Sequence, residues 1–122
     1  MCFVGAVTLE GLTASKKNEG NVHLYGQPVC DDDWDRRDGE VVCQELGFSG
    51  LVRVTVGSAF GEVSADFAMD DVQCNGTEAS LEECEFTKVH NCGPGEGAGV
   101  VCTSSTSSNA TAGKGSTRSI DN

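Results

Sequence analysis

The cysteines are the residues whose type and spacing most clearly imply chemistry. The chain has 122 residues and 7 cysteines. Six of them fall at wide, irregular intervals without a CxxC pair: Cys30, Cys43, Cys74, Cys84, Cys92 and Cys102. Structural zinc sites usually take ligands in close pairs, and His23 and His90 are not placed to complete such a set. The spacing therefore favours disulfides in an oxidising compartment over zinc, while the residues alone leave the pairing open.

A second candidate for chemistry is the run of three carboxylates Asp31, Asp32 and Asp33, directly after Cys30. Carboxylates crowded in this way repel one another, and a hard cation relieves that repulsion. Calcium suits irregular, oxygen-only sites that are built from loops. The run indicates either a calcium site or a solvated acidic cluster.

Catalysis finds little support in the residue types. A serine or cysteine nucleophile needs a base within hydrogen-bond reach, and the chain offers only His23 and His90. His90, Asn91 and Cys92 superficially resemble a catalytic set, but neighbours on an extended chain point apart and Cys92 is expected to be bridged. Carboxylates for glycoside hydrolysis are plentiful, but the sequence indicates no cleft. We predict that the protein is not an enzyme.

Charge and composition exclude several partners. The formal net charge is −11, with 19 acidic and 8 basic side chains, which disfavours nucleic acid. The apolar stretches are a few residues long, far short of the roughly 20 that span a bilayer, and residues 1–8 lack a secretion signal. Sequons at Asn75 and Asn109 fit export and predict glycosylation. We therefore expect a piece of a longer exported protein, itself secreted or membrane-anchored.

The elements that must position these residues are short. Residues 7–9, 22–25 and 52–56 are β-rich runs bounded by turns, and they predict strands. Residues 35–46 predict one helix, with Asp35 as the cap and Gly47 as the stop. A second, short helix is expected at residues 80–84, capped by Ser80. Residues 6–103 then form one domain, and the Ser/Thr/Gly-rich residues 104–122 a flexible linker or tail.

Three ordered blocks carry a family resemblance: CDDDWDRRDGEVVCQELGF at 30–48, MDDVQCNGTEASLEEC at 69–84 and HNCGPGEGAGVVC at 90–102. They resemble the scavenger receptor cysteine-rich (SRCR) domain. Phe48 stands where eight-cysteine members have another cysteine, so the chain is similar to the six-cysteine, group A-like class. Cys2 is then left over, and we assign it to a neighbouring segment or an outside partner rather than to a reactive thiol.

The resemblance implies both fold and sites. The fold would be α+β, a small disulfide-rich domain with a curved antiparallel sheet cradling one main helix, plus a short helix. The bridges would be Cys30–Cys92, Cys43–Cys102 and Cys74–Cys84. A first divalent-cation site would use Asp31, Asp32 and Glu96, and a second would use Asp35, Asp70, Asp71 and Asn91. The alternative for the second set is that Asp35 caps the helix while Asp70 and Asn91 organise turns.

The resemblance also implies a function. SRCR domains are extracellular scavenger-receptor-type modules, with roles in innate immunity, that recognise protein, glycan or polyanionic ligands, often through a bound cation. Arg36, Arg37 and Arg53 are candidates for a supporting basic face, although ordinary surface charge explains them as well. We expect calcium as the cofactor, an extracellular ligand as the partner and no organic cofactor. The alternative is a non-catalytic accessory module of a larger protein, such as a protease or a lysyl oxidase-like enzyme.

Overall fold

The computed structural model describes residues 7–14, 16–89 and 91–103. The predicted linker, Cys2, His90 and Asn109 lie outside these residues. Within the described ranges, no helix has the length and apolar character needed to cross a bilayer. The elements in chain order are β1 (Val7–Glu10), β2 (Glu19–Leu24), β3 (Gln27–Pro28), α1 (Arg36–Glu45), β4 (Leu51–Thr55), β5 (Asp70–Gln73), a 3-10 turn (Leu81–Glu83), β6 (Glu85–Thr87) and β7 (Gly99–Cys102).

The described residues form two antiparallel sheets and one α-helix, which confirms the predicted class. The main sheet has the order β1-β2-β7-β4, with β3 paired to β2, and the small sheet pairs β5 with β6. The strands predicted at 7–9, 22–25 and 52–56 correspond to β1, β2 and β4. Strand β7 was not predicted, because all four of its residues are buried and show no alternation of apolar and polar side chains.

Tyr25 corrects one predicted boundary. The strand expected at 22–25 ends at Leu24, because Tyr25 and Gly26 take φ angles of 53° and 81°. Leu24 pairs directly with Gln27, so these two residues form the tight turn of the β2–β3 hairpin. Two consecutive positive φ angles are what a two-residue hairpin turn requires.

Helix α1 confirms the predicted helix and its cap. The Asp35 side chain accepts hydrogen bonds from the backbone N–H groups of Arg37 and Asp38, and Asp38 reciprocates at the Asp35 N–H in a capping box. Gly47, with a φ of 89°, follows the last turn. The buried residues of α1 lie against β4, β7 and the 3-10 turn, so the helix covers the main sheet.

The predicted second helix is only the single 3-10 turn Leu81–Glu83, and its cap differs from the expectation. Ser80 makes no side-chain capping hydrogen bond. The Leu81 N–H instead donates to the Glu45 carboxylate at 2.8 Å, so the end of α1 holds the turn. The turn buries Leu81 completely.

The core is small, and disulfides supplement it. Valines dominate the fully buried side chains, together with Met69 and Leu81. The six described cysteines form three disulfides, in the pairing that the resemblance implies: Cys30–Cys92, Cys43–Cys102 and Cys74–Cys84, with Cα–Cα distances of 6.2, 5.7 and 4.7 Å. Cys43–Cys102 ties α1 to β7. In the chain-entropy model each long loop contributes about 4 kcal/mol to stability and the short loop about 3 kcal/mol.

Candidate functional site

Covalent and backbone bonds bring two distant segments together at Cys30. The Cys30–Cys92 disulfide spans 62 positions of sequence. Next to it, the Asp31 N–H donates to the Glu96 carbonyl oxygen at 2.9 Å, and Cys30 forms an isolated antiparallel bridge with Gly97. The acidic run after β3 therefore lies directly beside the loop that precedes β7.

Asp31, Asp32 and Glu96 form an acidic cluster at this junction. One carboxylate oxygen of each lies within 4.8 Å of one from each of the other two, and all three residues are half-buried. The Cys30 sulfur lies within the same distance, but it is bonded to Cys92 and is not available as a thiolate ligand. The usable donors are therefore all carboxylate oxygens. In the described part of the chain, none of the three pairs with a lysine or arginine.

Backbone groups orient two of the three carboxylates. Asp31 Oδ2 accepts a hydrogen bond from the Gly57 N–H at 2.7 Å, and Glu96 Oε2 accepts one from the Gly93 N–H at 2.8 Å. Each of these carboxylates keeps its second oxygen for another partner. The ligand oxygens of Asp31 and Glu96 are therefore held in position before an ion binds, which reduces the entropy lost on binding.

Ser58 is a supporting residue that the sequence analysis missed. Its hydroxyl donates to the Pro94 carbonyl at 2.6 Å and accepts from the Gly97 N–H at 2.8 Å, so it connects both sides of the Glu96 loop. Ser58 itself is buried and has a φ of 52°. These contacts span 36 and 39 positions of sequence, and no local pattern signals them.

Asp70 is a buried carboxylate that adjoins the acidic cluster through Asp32. Carboxylate oxygens of Asp32 and Asp70 lie within 4.8 Å of each other, so Asp32 belongs to both groups. Asp70 is 3% exposed, and its Oδ1 accepts from the Asp71 N–H at 2.7 Å. Burial raises the pKa of Asp70, the Asp71 N–H opposes that rise, and the Asp32 charge adds to it.

The second predicted cation set is not brought together as one cluster. Among the described residues, the acidic groups with ligand atoms within 4.8 Å of one another contain Asp70 but neither Asp35 nor Asp71. Asp35 is engaged as the α1 cap, and Asp71 is exposed with a φ of 53°. Asn91 is also exposed. The hydrogen bonds of Asp35 are those of a helix cap, which was its alternative interpretation.

The remaining predicted residues lie apart from the cluster. Asn75 is exposed, and its backbone N–H donates to Glu78. Arg36 donates to the carbonyl oxygens of Leu51 and Val52 on β4, at 3.4 and 3.3 Å. His23 is buried, with Nδ1 3.1 Å from its neighbouring Asn21 carbonyl oxygen.

The donor set fits calcium. Asp31, Asp32 and Glu96 supply hard oxygen ligands from loops, as calcium sites do. Calcium takes about six to eight oxygens, so water or ligand oxygens would complete its coordination. The positive charge that calcium supplies when bound would offset the mutual repulsion of the three carboxylates.

Comparison with known proteins places this geometry in a family. The scavenger receptor cysteine-rich domain model matches residues 12–103. The third SRCR domain of murine neurotrypsin, known from a crystal structure, has 34% sequence identity to this chain and a TM-score of 0.69. The match covers 79% of this chain and 94% of the neurotrypsin domain. The SRCR domain of mouse MARCO, analysed in its dimeric form, is 38% identical, covers 70% and 87% of the two chains, and has a TM-score of 0.62. The chain belongs to the scavenger receptor cysteine-rich family.

Proposed function

We propose that this domain is an extracellular ligand-binding module in which calcium, held by Asp31, Asp32 and Glu96, assists binding. The observation that carries the proposal is the convergence of three carboxylates within 4.8 Å, with no described basic side chain paired to them. SRCR domains are typically extracellular binding modules rather than catalysts, and three disulfides suit that compartment.

The charge of the domain bears on the class of ligand. The full chain has a net charge of −11, which repels an anionic ligand at long range. A cation at the cluster reverses the local sign of the potential and offers open coordination positions to a carboxylate, sulfate or phosphate oxygen. We therefore infer that calcium bridges the domain to anionic groups of a protein or glycan, with Asp70 adding negative charge behind Asp32.

Calorimetric titration with calcium tests the site. Asp32→Asn should weaken calcium binding about tenfold or more, because it removes one of three charged ligands and its link to Asp70. Asp33→Asn is the matched control: Asp33 is the next residue, is exposed and has a φ of 63°, which asparagine tolerates. Equal calcium affinities for the two variants would remove Asp32 from the site, and failure of the parent domain to bind calcium would remove the proposal.

A second candidate function is a non-catalytic accessory module of a larger protein. The neurotrypsin relative is described as the third SRCR domain of its protein, which supports a multidomain setting for this fold. The test is to purify the protein from its source and map its full length by mass spectrometry. A catalytic domain joined to residues 6–103 would support the accessory role, and its absence would leave the receptor module.

A further inference from the structure

A cavity of about 350 Å³ is lined in part by residues 62–64, and none of the three carboxylates Asp31, Asp32 and Glu96 lines it. Its walls come from the end of β1, the middle of β2 and the loop after β4. Glu10, Leu12, His23, Glu62 and Ser64 are the residues that matter for its chemistry. The volume falls at the lower end of the range for small-ligand sites.

Hydrogen bonds between distant segments hold the cavity walls in place. The Asn21 side chain donates to the Gly61 carbonyl oxygen at 2.8 Å, and the Thr13 N–H donates to the Phe60 carbonyl oxygen at 3.1 Å. On the far side, the Val63 N–H donates to the Pro94 carbonyl oxygen at 3.0 Å. The cavity is therefore preformed rather than made by a loose loop.

His23 is a buried polar residue that lines the cavity. The residue is 8% exposed, and its Nδ1 lies 3.1 Å from the Asn21 carbonyl oxygen. A carbonyl oxygen only accepts, so Nδ1 carries the hydrogen and Nε2 of the neutral ring is an acceptor. Nε2 has no hydrogen-bond partner among the described residues, and it is not sealed from solvent, so it is open to the cavity that His23 lines.

The other polar groups at the cavity are also acceptors. Glu10 and Glu62 are exposed, and neither pairs with a lysine or arginine in the described part of the chain. Glu10 accepts from the Thr8 hydroxyl through one oxygen, which leaves the other for a ligand. Beside them Leu12 is 93% exposed and offers an apolar surface. The lining thus combines negative charge, a buried acceptor and an apolar surface.

We propose that this cavity binds an arginine side chain of a protein ligand. The guanidinium group presents several N–H donors in a planar fork, which suits Nε2 of His23 together with the Glu10 and Glu62 carboxylates. The aliphatic stem of the arginine packs against Leu12. The site is independent of the calcium cluster and does not require it.

A metal ion is a poorer match than a guanidinium. The groups of described ligands that approach within 4.8 Å of one another do not include His23, Glu10 or Glu62. One ion cannot contact donors that are farther apart, whereas an arginine spreads its donors over the width of the guanidinium.

The test is an NMR titration of the ¹⁵N-labelled oxidised domain in EDTA. The probe is the peptide acetyl-Gly-Arg-Gly-amide, and its matched control carries citrulline, which has the same shape without the charge. The arginine peptide should shift the His23 Nε2 resonance and the amide resonances of residues 61–64, and the citrulline peptide should not. Because the experiment contains EDTA, its outcome is separate from that of the calcium proposal.

Two variants locate the contact. Glu62→Gln should weaken arginine-peptide binding about two- to fivefold, the size expected for one exposed charge pair. Glu85→Gln removes the same charge from an exposed residue of strand β6, which does not line the cavity, and the variant should bind like the parent. No shifts at about 20 mM peptide, equal shifts with citrulline, or equal weakening by both variants would each overturn the proposal.

Discussion

Asp38 couples the stability of this domain to pH. The residue is 0% exposed, and its two carboxylate oxygens accept from the Asp35 and Cys74 N–H groups at 2.9 and 2.8 Å. Burial raises the pKa of Asp38 from 3.8 to about 6, against the opposing effect of those two N–H groups. The carboxyl group thus joins the start of α1 to the end of β5, and its ionisation at this buried position lowers the stability of the folded state.

The direction of the effect follows from proton linkage. Between pH 3.8 and about 6 the folded state binds more protons than the unfolded state at Asp38, so this stabilisation is present at low pH and is lost as pH rises through about 6. The difference between the two pKa values corresponds to about 3 kcal/mol over the whole range. Between about pH 5 and about pH 7.5, the loss from Asp38 alone is on the order of 1 kcal/mol.

The perturbation is Asp38→Asn. Its single carbonyl oxygen can accept from only one of the two N–H groups, and the other, left buried without a partner, costs about 1 to 3 kcal/mol. The variant should therefore be less stable than the parent at about pH 5. At about pH 7.5 the difference in unfolding free energy between parent and variant should narrow by on the order of 1 kcal/mol, because the parent then carries a buried charge that the variant lacks.

Urea unfolding in EDTA, with the disulfides intact, measures this difference. The single tryptophan, Trp34, is buried and reports unfolding by fluorescence. Glu45 also has a pKa raised by burial, so the parent's total pH dependence includes other groups, and the comparison with Asp38→Asn isolates one of them. Glu85→Gln, which removes an exposed charge, should follow the parent. Parallel pH dependences for the parent and Asp38→Asn would refute the reasoning.

Two further predictions concern helix packing and a surface contact. Gly39→Ala should lower the free energy of unfolding by about 1 to 3 kcal/mol, although alanine favours helices. The reason is that a Cβ at this position would lie 2.6 Å from Val54 Cγ1 and 3.0 Å from Leu51 Cδ1. A variant with a higher melting temperature than the parent would contradict this packing. The Glu82 charge raises the pKa of Tyr25, which is the single tyrosine of the chain. Glu82→Gln should therefore lower the Tyr25 pKa measured by alkaline absorbance titration. An unchanged titration curve would exclude the contact.

The sequence predicted the elements whose signals are local. The helix carried its own cap and stop at Asp35 and Gly47, and β1, β2 and β4 showed β-rich runs. By contrast, β5 (Asp70–Gln73) alternates between buried and exposed residues, but its first buried residue is the acidic Asp70, so the residue types conceal the pattern. Strand β7 is buried throughout and shows no alternation. The disulfide pairing came from the family resemblance, since the spacing alone allows many arrangements.

The candidate site was predictable only where its signals are local. Asp31 and Asp32 stand out as an acidic run, but the approach of Glu96 depends on a disulfide and backbone bonds across more than sixty positions. The roles of Gly57 and Ser58 depend on long-range hydrogen bonds that leave no motif. Asp35 had two interpretations from sequence; the structure shows the capping geometry, and its role at a cation site stays a prediction.

The central claim is that calcium bridges this domain to anionic ligands through Asp31, Asp32 and Glu96. The most direct measurement is binding of the oxidised domain to immobilised dextran sulfate, with calcium and then with EDTA, using neutral dextran as the reference surface. The account predicts binding that requires calcium, that is lost in Asp32→Asn and that persists in Asp33→Asn. Binding that is equal in calcium and EDTA, or no binding to dextran sulfate by a calcium-loaded domain, would contradict it.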